Sequence, residues 1–317
     1  MRGGLSGLQN NIPASQLRAW LLTAVVPVIL SIAGRNGWFT VLIMAIGCGA
    51  LCFCVLTCRI ERFPNWLCIL EMIWLTVFLG GIAKIGSGCW VEENAHPWIP
   101  IILLILAAYA SQKGISRSAR MGATLLWLVT PVLGLVFLTG TTDIRMKWIP
   151  TEWELPDGGL MALLLSPCIT IFFPKERKTL RWTGLILGAA AVAGALLIYG
   201  TMGTEVAKTA PNSFYEFSKG VTLLGVAERF ESLVACALTG GLFAFLVLIL
   251  SAIHHLAEKN FTRVAKWSVW ICAFAAAGVM CILPNNDYWV AVGGVIFWGF
   301  LPVAAQGIGG RKSIEKK

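Results

Sequence analysis

The triplet Ser166-Pro167-Cys168 interrupts an apolar run from Gly159 to Phe173. Proline carries no backbone N–H and clashes with the carbonyl four residues back, so it frees a carbonyl that lipid cannot satisfy. The 15 residues of this run would rise about 22 Å, short of the roughly 30 Å hydrocarbon core of a bilayer. Leu17 to Ala33 is also short, at 17 residues, and Pro27 interrupts it. These are the first and sixth of ten apolar segments. Paired interrupted helices at corresponding places in two halves point to the binding site of an inverted-repeat transporter. Unwound amides and helix N-termini would hold a carboxylate there and freed carbonyls an ammonium or a cation, which suits a small zwitterion such as an amino acid. The structural alternative is two kinked helices packed against their neighbours.

Glu71 sits about six residues into the third apolar segment. An ionisable group inside a span is costly, and one that gains and loses a proton would couple solute movement to a gradient. Lys84, 13 residues further on, lies about 20 Å away along a helix and cannot be its direct partner. A structural reading instead pairs Glu71 with loop arginines near the cytoplasmic interface. Glu228-Arg229-Phe230-Glu231-Ser232 opens the eighth segment. Glu228 and Glu231 share a helix face, where they would line an entrance or meet a partner subunit. Carboxylates in a first turn also stabilise a helix through its dipole.

The ten cysteines stand at 48, 52, 54, 58, 68, 89, 168, 236, 272 and 281, with no Cys-x-x-Cys pair and no histidine at metal spacing. They read as small apolar residues, since a helix splays the 48, 52, 54, 58 group over several faces. His96, His254 and His255 form no ligand pattern, and Gly307 to Ser313 lacks the spacing of a phosphate loop. The Asn260-Phe261-Thr262 sequon falls in a cytoplasmic loop. No nucleophile, base and oxyanion set is visible, so neither an enzyme nor a metal or cofactor site is expected.

Of 317 residues, 57% are hydrophobic and 13% charged, and the mean hydropathy is +0.76, which excludes an ordinary soluble domain. The reading is a polytopic all-helical protein of the lipid bilayer. The net charge of +9 resides in short loops between apolar segments, so nucleic acid is not a partner. The segments run Leu17–Ala33, Trp38–Thr57, Asn65–Ile85, Trp98–Ala110, Met121–Leu138, Gly159–Phe173, Trp182–Met202, Phe230–Leu256, Val264–Leu283 and Tyr288–Ala305. They form one transmembrane domain over 1–317, with a first repeat at 17–138, a second at 159–305 and a short tail at 306–317. The first segment lacks a cleavage site and is read as a retained span. The polar stretch 204–227 is expected to hold one short interfacial helix on the surface. With ten spans, 18 of the 25 Lys and Arg fall on one side and the remaining seven on the other. This asymmetry puts both termini in the cytoplasm.

Nearly the whole chain resembles the spore germination permeases, the B subunits of germinant receptors within the amino acid–polyamine–organocation transporter superfamily. Ser15-Gln16-Leu17 resembles the entry to that family's first helix, and Gly37-Trp38 with Arg62-Phe63-Pro64 the borders of its second. Leu165 to Pro174 with the basic run after it resembles the sixth helix and its loop, and Glu228-Arg229-Phe230-Glu231-Ser232 the ERxES opening of the eighth. The resemblance implies a 5+5 inverted repeat of ten helices, with LeuT-like broken helices one and six. It also implies a germinant bound by Pro27, Val28, Ser31, Ser166, Pro167 and Cys168, receptor A and C subunits as partners, and the inner spore membrane as location. Where the family has glycines in the first helix this chain has Pro27 and Ile29. Ser166-Pro167-Cys168 replaces the family's Gly-x-Glu in the sixth, without its carboxylate. A proton-coupled amino-acid transporter using Glu71, and a scaffold with no ligand, are the alternatives.

Overall fold

The computed structural model describes residues 12–57, 64–88, 98–145, 148, 157–173, 180–210, 212–220, 230–261, 265–282, 288–302 and 304, among which there is no β-strand. Ten principal helices follow in order. They are α1 (Ala14–Ala33), α2 (Trp38–Thr57), α3 (Asn65–Gly88), α4 (Trp98–Ser111), α5 (Ile115–Gly140), α6 (Gly158–Leu165), α7 (Thr183–Met202), α8 (Phe230–Asn260), α9 (Ala265–Ile282) and α10 (Tyr288–Gly294). α6 continues as a 3-10 helix over Ser166–Phe172, and α10 as a π-helix over Val295–Phe300.

Hydrophobicity locates each helix, but polar turns extend some of them. α5 starts at Ile115, inside the basic stretch assigned to a loop, just after Gly114 at φ 93°. Serine and arginine tolerate a helical turn, and the positive φ makes glycine the break. The polar stretch after α7 holds two short helices, Thr204–Thr209 and Ser213–Gly220. The second does not lie on the surface as expected. Phe214 and Phe217 are buried, and it packs on α1, α7 and α8. A Cβ on Gly34, just past α1, would overlap Ser213.

Six helices, α1, α2, α3, α5, α7 and α8, are long and apolar enough to cross a membrane, and four shorter apolar ones accompany them. Large apolar side chains also cover the outside, among them Trp127, Leu138, Trp267, Phe274, Ile282 and Phe300. An apolar surface on this scale suits a bilayer, where helices satisfy their backbone polar groups internally.

Inside, small residues set the closest approaches. Between α2 and α7 a Cβ on Gly188 would lie 2.9 Å from that of Ala45, and one on Gly184 2.9 Å from that of Cys52. Such seams let helices meet where burial gains little over lipid. α1 is central and packs against α5, α6, α7 and α8. α3 packs on α8 and α9, α4 on α8 and α9, and α6 on α2 and on α10.

Candidate functional site

The break in α6 lies where the sequence puts it. Asp157 caps the helix, its carboxylate accepting from Gly159 N at 2.7 Å, and helical turns then run to Leu165. The Ser166 N–H turns back to the Leu163 carbonyl, which begins a three-residue hydrogen-bond spacing. The next rung would run from residue 167 to the Leu164 carbonyl, and proline has no N–H to make it. Cys52 of α2 stands in its place, with Sγ 3.5 Å from Leu164 O. Cys168 in turn donates to Cys52 Sγ at 3.4 Å, and Cys48, one turn earlier on α2, lies 3.9 Å from Met161 O. Two thiols of α2 thus follow the inner side of α6 through its break.

Ser166 is fully buried, and its Oγ has no hydrogen-bond partner among the described residues. Hydroxyls inside helices usually bond the carbonyl one turn back. Ser31, Thr76 and Thr239 do so here, at 3.0, 2.8 and 2.9 Å. An unmet buried hydroxyl costs about 1–3 kcal/mol, which sets Ser166 apart from the helix-bonded hydroxyls.

At Pro27 the expected interruption of the first helix does not occur: α1 is continuous from Ala14 to Ala33. The proline frees the Thr23 carbonyl, and α8 packs directly over it. A Cβ on Gly241 would come within 2.5 Å of Pro27 Cγ and 3.1 Å of that oxygen. A glycine on the neighbouring helix thus makes room for the ring while α1 stays unbroken.

Pro27, Val28, Ser31, Ser166, Pro167 and Cys168 are all buried, and α1 packs on α6. Their side chains do not converge. Pro27 meets α8, the Ser31 hydroxyl is spent on the Pro27 carbonyl, and Cys168 meets α2. Of the six, Ser166 alone presents a buried polar atom without a partner.

Glu71 is fully buried on α3, and neither carboxylate oxygen has a hydrogen-bond partner among the described residues. Trp74 and Phe78 follow at i+3 and i+7, on the same face. Trp74 stacks on Phe297 (5.0 Å) and meets Trp298 edge-on (6.0 Å), while Trp298 meets Phe78 at 4.7 Å. Phe297 and Trp298 belong to the π-helical end of α10. This irregularity brings both rings against α3, and such π segments are frequent at functional sites.

Glu228 and Arg229 lie outside the described residues, whereas Glu231 is partly exposed in the first turn of α8 and Ser232 is exposed. Lys219 of the short helix bonds Glu216 at 2.8 Å. That bond pushes its ammonium up from the ordinary value, and Glu231 adds to the shift.

No known family model matches the chain, and no curated protein matches it. The sequence reading missed Cys52 as a partner of the break. Its only signal was i, i+4 spacing from Cys48, which says nothing about the helix opposite.

Proposed function

We propose that this chain is a ten-span membrane protein of two inverted five-helix repeats, and that it serves as the permease-like subunit of a spore germinant receptor. It binds a small nutrient such as an amino acid beside α1 and the break in α6. The buried, unpartnered Ser166 hydroxyl at that break carries the reading. Leaving such a group unmet costs stability, and a ligand's polar group would repair the loss.

The pattern of helix neighbours supports the repeat. Adding five to both numbers turns α1–α5 into α6–α10, α1–α7 into α6–α2, α4–α8 into α9–α3 and α3–α4 into α8–α9. All of these pairs are in contact, and α1–α6, α2–α7, α3–α8 and α4–α9 map onto themselves. The broad α1–α8 contact has no comparable α6–α3 counterpart, in keeping with the shortness of α6. In this reading the chain lies in the inner spore membrane, with both termini in the cytoplasm and receptor A and C subunits as partners. The exposed start of α8 near Glu231 and Ser232 suits a subunit contact.

Glu71 favours a second reading, a proton-coupled amino-acid transporter, because a buried carboxyl with no described partner is free to exchange a proton. Proteoliposomes given a labelled amino-acid panel, with and without a proton gradient, separate the two. Saturable binding without gradient-driven uptake supports the receptor. Uptake abolished by Glu71→Gln supports the transporter. Absence of any binding contradicts a pocket in the isolated chain and leaves the scaffold, or a site completed by partner subunits.

A further inference from the structure

Cys52 and Cys168 come from helices far apart in the chain, separated by 116 residues, yet their sulfurs lie 3.4 Å apart in van der Waals contact. Both are buried, and both are free thiols. We propose that they form a reversible disulfide site that staples α2 to the break in α6. A disulfide needs its sulfurs at about 2.0 Å, so the pair must close by about 1.4 Å from the 3.4 Å observed. Cys168 lies in the 3-10 stretch that follows Pro167. Hydrogen bonding is poorer there than in an α-helix, so this segment yields to such a shift at lower cost.

The reagent is a two-electron oxidant of the hydroperoxide class. One sulfur, as thiolate, attacks the peroxide, so the O–O bond breaks and a sulfenic acid and one water form. The second sulfur then attacks that sulfenic sulfur, the S–O bond breaks, and the hydroxyl leaves as a second water with the remaining thiol proton. Two thiols lose two electrons and one S–S bond forms. A small dithiol reverses the step by exchange through a mixed disulfide.

Among the described residues Cys54, Cys236 and Cys281 are exposed and Cys272 is partly exposed, while Cys48 and Cys68 are buried with Cys52 and Cys168. The exposed thiols are the more accessible but have no sulfur partner among the described residues. The buried pair has the partner and must wait for α6 to part from α2. Its oxidation rate therefore reports that opening. The S–H bond from Cys52 to Leu164 O is lost with the proton, so the oxidised form holds the break by a covalent bond instead of a thiol donor. The consequence for ligand entry rests on the binding reading above, but the cross-link itself does not.

The test treats the full-length protein in detergent with hydrogen peroxide, caps remaining thiols with a maleimide in denaturant, and maps peptides by mass spectrometry with and without prior reduction. The expected result is a linked pair of peptides carrying Cys52 and Cys168, a loss of two titratable thiols reversed by dithiothreitol, and a raised thermal unfolding midpoint. The link is absent in Cys52→Ser and in Cys168→Ser, whose folding is checked by elution profile and helicity. Oxidised wild type with both thiols still free overturns the proposal, as does the same loss of two thiols in Cys168→Ser. A cross-link without any nutrient binding leaves the disulfide standing and counts against the receptor reading alone.

Discussion

The backbone N–H of Asp157 donates to Oδ1 of Asn36 over 2.6 Å, so the residue that caps α6 is held by the turn that ends α1. The starting point of the broken helix is therefore tied to the end of α1. Asp157→Ala removes the cap and should cost about 1 kcal/mol. Asn36→Ala should cost a similar amount by leaving a partly buried N–H unmet. The Asn36 bond goes to a backbone N–H that alanine at 157 retains, so the two variants remove separate hydrogen bonds and their losses should roughly add. Thermal unfolding in one detergent measures this, and an Asn36→Ala midpoint equal to wild type would mean that the contact holds nothing.

Gly241 and Gly240 are neighbours in α8 with opposite surroundings. A Cβ at Gly241 runs into Pro27, whereas one at Gly240 meets nothing within 4 Å. Gly241→Ala should therefore destabilise by about 1–3 kcal/mol through overpacking. Gly240→Ala should be neutral or stabilising by up to about 1 kcal/mol, since glycine is the poorer helix former. Equal effects would contradict the account of how α1 stays unbroken.

Cys52 replaces the hydrogen bond that Pro167 cannot make. Cys52→Ser keeps a donor to the Leu164 carbonyl and should be tolerated, while Cys52→Ala orphans that carbonyl and should cost about 1–3 kcal/mol. Denaturation midpoints that fall equally in the two variants would reduce Cys52 to a packing residue.

Much of the fold was legible because membrane helices announce themselves by length and hydropathy. Nine of the ten principal helices begin within a few residues of the start of their apolar runs, and the break at Ser166-Pro167 is visible from proline chemistry alone. Helix α5 is the tenth, and its start was hidden by the polar turn at Ile115–Arg120. The outcome at Pro27 was not legible, because whether a proline breaks a helix depends on what packs over the freed carbonyl. Here that is Gly241, more than 200 residues away in sequence. The Cys52–Cys168 contact was illegible for the same reason. The two short helices after α7 were blurred by their polarity, and only the burial of Phe214 and Phe217 shows that the second packs inward.

Glu71 distinguishes a functional carboxyl from a structural one. If it is held without a partner, Glu71→Gln and Glu71→Met should leave the unfolding midpoint unchanged or raise it, because each removes an ionisable group that gains nothing from its surroundings. A loss of about 3 kcal/mol or more, the penalty for breaking a buried ion pair, would reveal a cationic partner and a structural role.

The central claim concerns the Ser166 hydroxyl, and equilibrium binding of labelled amino acids to purified wild type, Ser166→Ala and Ser166→Leu tests it most directly. Ser166→Ala should fold at least as stably as wild type, since it removes an unmet buried hydroxyl, yet bind about tenfold more weakly through loss of a hydrogen bond to the ligand. Ser166→Leu should not bind at all. Wild-type affinity retained in both variants, with folding intact, would contradict a nutrient site at the break in α6.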